Sequence, residues 1–337
     1  MRILIALLII SSSFAFAQIE NKGRKGNDST LTSQNELQGI DSIRIVSKDS
    51  IMNSLDSGNQ FVGYWANPSY APEIREENKI NVISRLNFNP LIANPYEARI
   101  GFIGQPSPDR LRMDIGTTID LFNLGEYSTF GIDMMTYTRL RSEGRFKFPV
   151  ETTDYYFGVN SAFSFYGDPI FGRIFNGDEK LRIRLAHISS HLIDGYTVNN
   201  EFITPPFVYS REFLEVIYKV DHDYYEIYTS VSPYIGANYI FSKIPNNIES
   251  FELITGLEVN SYFMNGISFQ AGYNFTLKGF NDTYYGVSNA QAGIKYNFAN
   301  NRAIFVGIYA HDGLSMHGMF FNQKDSYIGI GTQIYYF

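Results

Sequence analysis

The chain has 337 residues, among them 28 Phe, 25 Tyr and one Trp, and only 18% are charged, below the ordinary quarter. It holds no Cys, which excludes disulfides, thiolate metal sites and anchoring through a lipidated Cys. A formal net charge of −7 with no long Lys/Arg run argues against nucleic acid as a partner.

Residues 1–17 read as a secretory signal. Arg2 supplies the charged start, Ile3 to Ile10 the apolar stretch and Ala15-Phe16-Ala17 the cleavage site. The apolar run is too short for a membrane helix, which needs about 20 residues. Residues 18–60 are rich in Asn, Ser, Asp, Lys and Gly and nearly free of aromatics. Such a stretch cannot bury enough apolar surface to offset its ordering entropy, so a disordered periplasmic tail is expected. Residues 61–96 carry Pro68, Pro72, Pro90 and Pro95, which rule out a long helix or a central strand. The expectation there is an extended lead-in packed against the rim of the following domain.

From residue 97 to 337 the chain is a succession of alternating segments, 9 to 14 residues long in most cases. Ile267 to Lys278 is the cleanest: Ile267, Phe269, Tyr273, Phe275 and Leu277 fall on one face and Ser268, Gln270, Asn274, Thr276 and Lys278 on the other. About twelve such strands are predicted. The connections after the second, sixth, eighth and tenth read as tight, and those after the third, fifth, seventh, ninth and eleventh as long. The turn at Gly167 to Glu179 is long for its side. Long strands with short turns at one end and long loops at the other predict an all-β fold, an antiparallel transmembrane barrel in a bacterial outer membrane. A soluble sandwich or lipocalin-like barrel also alternates, but its strands are shorter and it lacks aromatics repeated near strand ends. The terminal Phe337 agrees with the barrel. In the last strand, however, Tyr335 and Phe337 share a face with Gln333 and Gly331, opposite Ile328, Ile330 and Ile334.

One strand departs from the pattern. R-I-R-L-A-H-I-S-S-H-L-I-D, Arg182 to Asp194, begins with Arg182 and Arg184 facing away from Leu181, Ile183 and Leu185. It then continues the apolar face with His187, Ser189 and His191. This block resembles the R-x-R-x-x-H-x-S-S-H-L-x-D signature of a bacterial outer-membrane family known as domain of unknown function 1207. F-N-P-L-I-A-N-P, Phe88 to Pro95, resembles that family's F-x-P-L-x-A-D-P lead-in. The chain departs at Asn94, where the family has Asp, and at Gly195, where it tends to have Glu. The resemblance runs from about Phe88 to Phe337 and implies an outer-membrane location and no established activity.

His187 and Ser189 lie about 6.6 Å apart at the backbone on one strand face, so imidazole can reach hydroxyl. A serine nucleophile needs such a base, and the base needs a third group to orient it. Glu212, or Ser210, on the next strand is predicted for that role, with Asp194 a weaker choice. H-x-S is similar to the H-x-S-N element of outer-membrane phospholipase A and of the lipid A deacylase, with Ser190 here in place of Asn. This resemblance implies a lipid acyl-ester hydrolase working on the wall's outer face, on phospholipid or lipopolysaccharide at the outer rim. Ser190, His191, Asp194, Arg182 and Arg184 complete the expected site as binding residues. The alternative is that His and Ser merely mark headgroup depth and pin the loop from Leu192 to Phe207. The barrel would then be non-enzymatic, with a binding, small-solute transport or envelope-integrity role.

No metal site is predicted. His187 and His191 stand about 13 Å apart on a strand, too far to share an ion unless the chain turns at Ser190. His311, Asp312 and His317 sit in what reads as a solvated, Gly-flexed loop. No cofactor is predicted and a calcium requirement stays open. The expected partners are outer-membrane lipid or lipopolysaccharide and the barrel-assembly machinery. Arg182, Arg184, Glu215, Lys219, Lys278 and Lys295 are expected to fill a narrow polar lumen with no separate plug.

Overall fold

The computed structural model describes residues 86–337, apart from 126, 144, 166–176, 265, 300, 301 and 337. The expected signal, the expected tail and residues 61–85 of the lead-in lie outside the described residues, as does most of the turn at Gly167 to Glu179.

Alternation becomes strand throughout the described chain. The wall is built from β1 (Ile100–Pro106), β2 (Asp109–Gly125), β3 (Ser128–Arg141), β4 (Val150–Phe165), β5 (Asp178–Leu192), β8 (Tyr209–Tyr224), β9 (Thr229–Ile244), β10 (Phe251–Met264), β11 (Ile267–Phe280), β12 (Thr283–Ala299), β13 (Arg302–Leu314) and β14 (Lys324–Tyr335). β6 (Thr197–Val198) and β7 (Glu201–Phe202) form a small hairpin inside the β5–β8 connection. Each wall strand pairs antiparallel with its chain neighbour, and β1 pairs with β14, so the sheet closes with twelve strands. A closed sheet has no edges, and every strand can satisfy its backbone within the wall.

The barrel is apolar outside and polar inside. Ile330, Ile235 and Leu253 are 67%, 63% and 59% exposed on the outer wall. Arg184, Arg182, Glu215, Lys219, Asn274 and Lys278 are buried within. Outward bands of Ile, Leu and aromatic residues around a closed antiparallel barrel are the arrangement that crosses a membrane. The ambiguous last strand resolves in the same sense. Ile328, Ile330 and Ile334 face out, Gln333 is buried, and the Tyr335 hydroxyl donates inward to Gln270 Oε1 at 2.7 Å.

The tight turns after β2, β8, β10 and β12 gather at one end, and the long connections 142–149, 193–208 and 315–323 at the other. The connection after β11, the ninth wall strand, is a correction: it is not long. Asn281 and Asp282 alone join β11 to β12, with φ of 51° and 56°. Asn and Asp tolerate this left-handed region, which suits a two-residue hairpin turn.

The larger correction concerns the described end of the lead-in, residues 86–96, which does not pack against the rim. Residues 86–99 run inside the lumen. Near the turn end, the Asn87 backbone donates to Asp120 Oδ2 (2.8 Å) and its Nδ2 donates to the Ala162 carbonyl (3.0 Å). Farther along, the Ile92 backbone donates to Glu258 Oε1 (2.6 Å), and the Tyr96 hydroxyl reaches the Met316 carbonyl (2.8 Å). Phe88 and Leu91 pack with Ala162, Ile217, Tyr234 and Ile254. The chain then passes into the wall at Ile100. The luminal charges expected as a self-sufficient filling therefore close around a segment of their own chain.

Candidate functional site

The R-x-R-x-x-H-x-S-S-H-L-x-D block is divided between the two faces of β5. Arg182, Arg184, Ala186, Ile188 and Ser190 face the lumen; Ile183, Leu185, His187, Ser189 and His191 face out. Each half does different work.

The inward half is structural. Arg182 Nη1 donates to Glu97 Oε2 (3.0 Å), its Nη2 to Glu97 Oε1, and Nη2 also reaches Glu215 Oε1 (3.0 Å). Arg184 Nη2 donates to Glu215 Oε2 (2.9 Å). Phe88 lies under Arg182, its ring centroid 4.6 Å from Cζ. Two cations and two carboxylates compensate one another out of water, which is the condition for burying them. Arg182 and Arg184, expected as binding residues, thus direct their charge at Glu97 and Glu215.

Ser190, another expected binding residue, holds a loop. Its Oγ accepts from the Met319 backbone (3.1 Å), while Asp154 accepts from the Gly318 backbone (2.7 Å) and from His317 Nδ1 (2.6 Å). These bonds draw the β13–β14 connection into the barrel mouth, where Met316, Met319 and Phe320 are buried against Tyr156, Ile188, Tyr209 and Phe213. A Cβ at Gly318 would meet the Tyr209 ring and approach Ser190 Cβ to 2.7 Å, so only Gly allows this approach. The segment around His317, expected to be solvated, is therefore a buried latch. Its content of Met316, Met319, Phe320 and Phe321 was the available signal, since so apolar a loop does not stay in water. His311 also faces inward, hydrogen-bonded through Nδ1 to Asn289 Oδ1 at 2.8 Å. Among the described residues no group of three or more His, Asp or Glu could hold a metal ion.

The outward half forms a polar patch across four strands. His187 pairs in register with Glu212 on β8, and Ser189 with Ser210. His187 Nδ1 donates to Glu212 Oε1 at 2.8 Å. The same oxygen accepts from Ser210 Oγ at 3.1 Å, and Ser242 on β9 also hydrogen-bonds the carboxylate. The register between β8 and β9 shifts at Glu212/Phe213, leaving Phe241 as an extra residue beside the carboxylate. Such bulges re-aim side chains. His187 and Glu212 stay partly open, with side chains 40% and 31% exposed. In a neutral imidazole that gives Nδ1–H to the carboxylate, Nε2 carries the lone pair. Among the described residues no hydrogen bond joins His187 to Ser189. Tyr155 on β4 is in register with Ser189, and its ring meets that of His191 edge-on at 5.8 Å.

Asp194 opens a short 3-10 turn, Asp194–Tyr196, beyond the end of β5. It is followed by Gly195, where a Cβ would collide with the Val150 backbone. The departure from Glu at this position thus has a steric reason: the loop runs directly against β4.

The chain matches the family profile described as Protein of unknown function (DUF1207) over residues 116–337. No curated protein matches it. Among solved structures it is similar in fold to outer membrane phospholipase A from Escherichia coli, at 13% identity and a TM-score of 0.43, covering 73% of this chain and 92% of that one. It is similar in fold to the beta domain of the Bordetella autotransporter BrkA, at 10% identity and a TM-score of 0.42, covering 70% and 96%. LpxR from Salmonella typhimurium is also similar, at 11% identity and a TM-score of 0.37, covering 68% and 88%. Likeness at this level concerns the barrel and not its chemistry.

Proposed function

Because the chain belongs to the DUF1207 family of proteins of unknown function, whose description assigns no chemistry, we propose from its own geometry that it is an integral outer-membrane barrel with a lipid acyl-ester hydrolase site on its outer wall. The observation that carries this reading is the His187–Glu212 hydrogen bond within a Ser-lined patch on the outer wall, directly above the apolar Ile183, Leu185 and Leu214. Polar and ionisable groups facing lipid are costly and are kept for function.

Glu212 holds the imidazole in one tautomer and stabilises the imidazolium when it forms. Nε2 takes the proton of Ser189 as Oγ attacks the ester carbonyl, and His187 then delivers that proton to the departing alcohol. The Ser189 acyl ester is released by water along the same proton path. The reaction requires the Ser189 hydroxyl and the His187 ring to turn toward each other when substrate is present, a closure typical of sites that tighten on binding. Wall amides are engaged in the ladder, so the oxyanion has to be met by a side chain or a bound cation; Tyr155 and His191 are adjacent. Long loops lie outside in this reading, and the substrate is phospholipid or the acylated moiety of lipopolysaccharide in the surrounding outer leaflet. The signal sequence and the barrel-assembly machinery would deliver the chain there.

The test is release of fatty acid from phospholipid and from lipid A in mixed micelles, with and without calcium. The wild-type protein releases acyl chains and His187→Ala does not. No release from either lipid class under either condition would remove the enzyme and leave a non-enzymatic barrel with a binding or integrity role. Transport through the lumen is disfavoured by the segment 86–99 that occupies it.

A further inference from the structure

Outward side chains along a membrane barrel ordinarily pass once from apolar belt to polar loop. Here the order reverses above the polar patch. Along β8 the outward positions run Val216, Leu214, then Glu212 and Ser210, and the next outward residue is Val208, which is 67% exposed. On β9, Ile244 stands in register with Ser210 and is exposed. The β6–β7 hairpin, rising from β5 and β8, exposes Val198, Phe202 and Ile203. Exposed apolar side chains therefore lie both below and above the polar patch, the upper set sharing its hairpin with the exposed Glu201.

We propose that Val208, Ile244 and the β6–β7 hairpin form a collar embedded in the outer-leaflet lipid, so that the patch of His187, Ser189 and Glu212 lies at the depth of lipid ester bonds and not in water. The occupant is lipid because the collar continues the outward face of β8 and β9, whose lower part is the belt itself. The hairpin also springs from strands already immersed in that leaflet. An aqueous setting would leave five large apolar side chains in water at about 25 cal/mol for each Å² exposed. The consequence is lateral entry: substrate reaches the patch from the surrounding leaflet, tails against Ile183, Leu185 and Leu214, without leaving the membrane. This inference rests on the membrane reading above and is independent of whether the patch hydrolyses anything.

The experiment places a single tryptophan in a Trp65→Phe background. Phe202→Trp and Val208→Trp report the collar, and Ile330→Trp on β14 reports the belt. Each protein is reconstituted in phosphatidylcholine vesicles, with and without bromine on the acyl chains, and titrated with aqueous acrylamide. The expected result is loss of emission from all three probes in brominated vesicles, and protection of all three from acrylamide. If Ile330→Trp is quenched by the brominated chains while the collar probes respond only to acrylamide, the collar is in water and the proposal falls. Collar probes shielded from both quenchers, with shielding that disappears on dilution of the protein in lipid, mean that a second copy covers the surface, which also overturns it. If Ile330→Trp itself is not quenched, the membrane reading fails and the collar with it.

Discussion

Glu97 and Arg182 form a two-pronged ion pair inside the barrel, Nη1 to Oε2 at 3.0 Å and Nη2 to Oε1. The pair joins the luminal lead-in to the strand that also carries the outward patch. Sequence separates the two residues by 85 positions, yet each is buried by the other's presence. Removing one member of a compensated buried pair typically costs about 3–5 kcal/mol. Glu97→Ala should accordingly lower the melting temperature followed by circular dichroism in detergent, with Glu97→Gln lowering it less. A melting curve unchanged by Glu97→Ala would mean that the lead-in does not hold the wall.

The same segment predicts electrical silence. With residues 86–99 packed among Glu258, Glu215 and Lys278, the purified protein should give no steady current in a planar bilayer. Sustained ohmic conductance from the wild-type chain would show that the segment leaves the lumen.

The exposed belt predicts behaviour in the cell envelope. The protein should fractionate with outer membranes and change its mobility on SDS gels only after boiling, as closed sheets that resist detergent do. Recovery from the periplasm without detergent would be incompatible with the wall described.

The orienting carboxylate predicts a graded loss of activity. Glu212→Gln should reduce acyl release by about 10²-fold, the scale of an impaired general base, and less than His187→Ala or Ser189→Ala, because an orienting group is less essential than base and nucleophile. Full retention of rate by Glu212→Gln would remove Glu212 from the mechanism.

The sequence alone was informative wherever one side chain in two carries the signal. Ile267 to Lys278 and Arg182 to His191 showed their faces directly, and His187, Ser189 and Glu212 came out on the expected side because a strand's period fixes it. The lead-in was misplaced because its partners are single side chains on distant strands: Glu258 for Ile92, Glu97 for Arg182, Met316 for Tyr96. Nothing periodic marks such contacts, and Pro90 and Pro95 suit a segment at the rim as well as one threaded through the core. The two-residue turn at Asn281-Asp282 was missed because the alternation was followed only to Lys278, whereas β11 continues to Phe280 and β12 starts at Thr283. Ser190 was expected among the binding residues, although the strand's period turns it away from Ser189. The structure instead gives it the Met319 amide to hold.

That opposition of neighbours provides the most direct test of the account: Ser189→Ala and Ser190→Ala, each measured for acyl release and for thermal unfolding of the barrel. Ser189→Ala should abolish release and leave the melting curve and heat-dependent mobility unchanged, since its hydroxyl faces outward. Ser190→Ala leaves the buried Met319 amide without its acceptor, so it should lower stability by about 1–3 kcal/mol and raise protease sensitivity of the 315–323 loop while retaining release. If Ser190→Ala abolishes release in a barrel of undiminished stability, or if Ser189→Ala retains it, the division of this strand into a structural inner face and a chemical outer face is wrong.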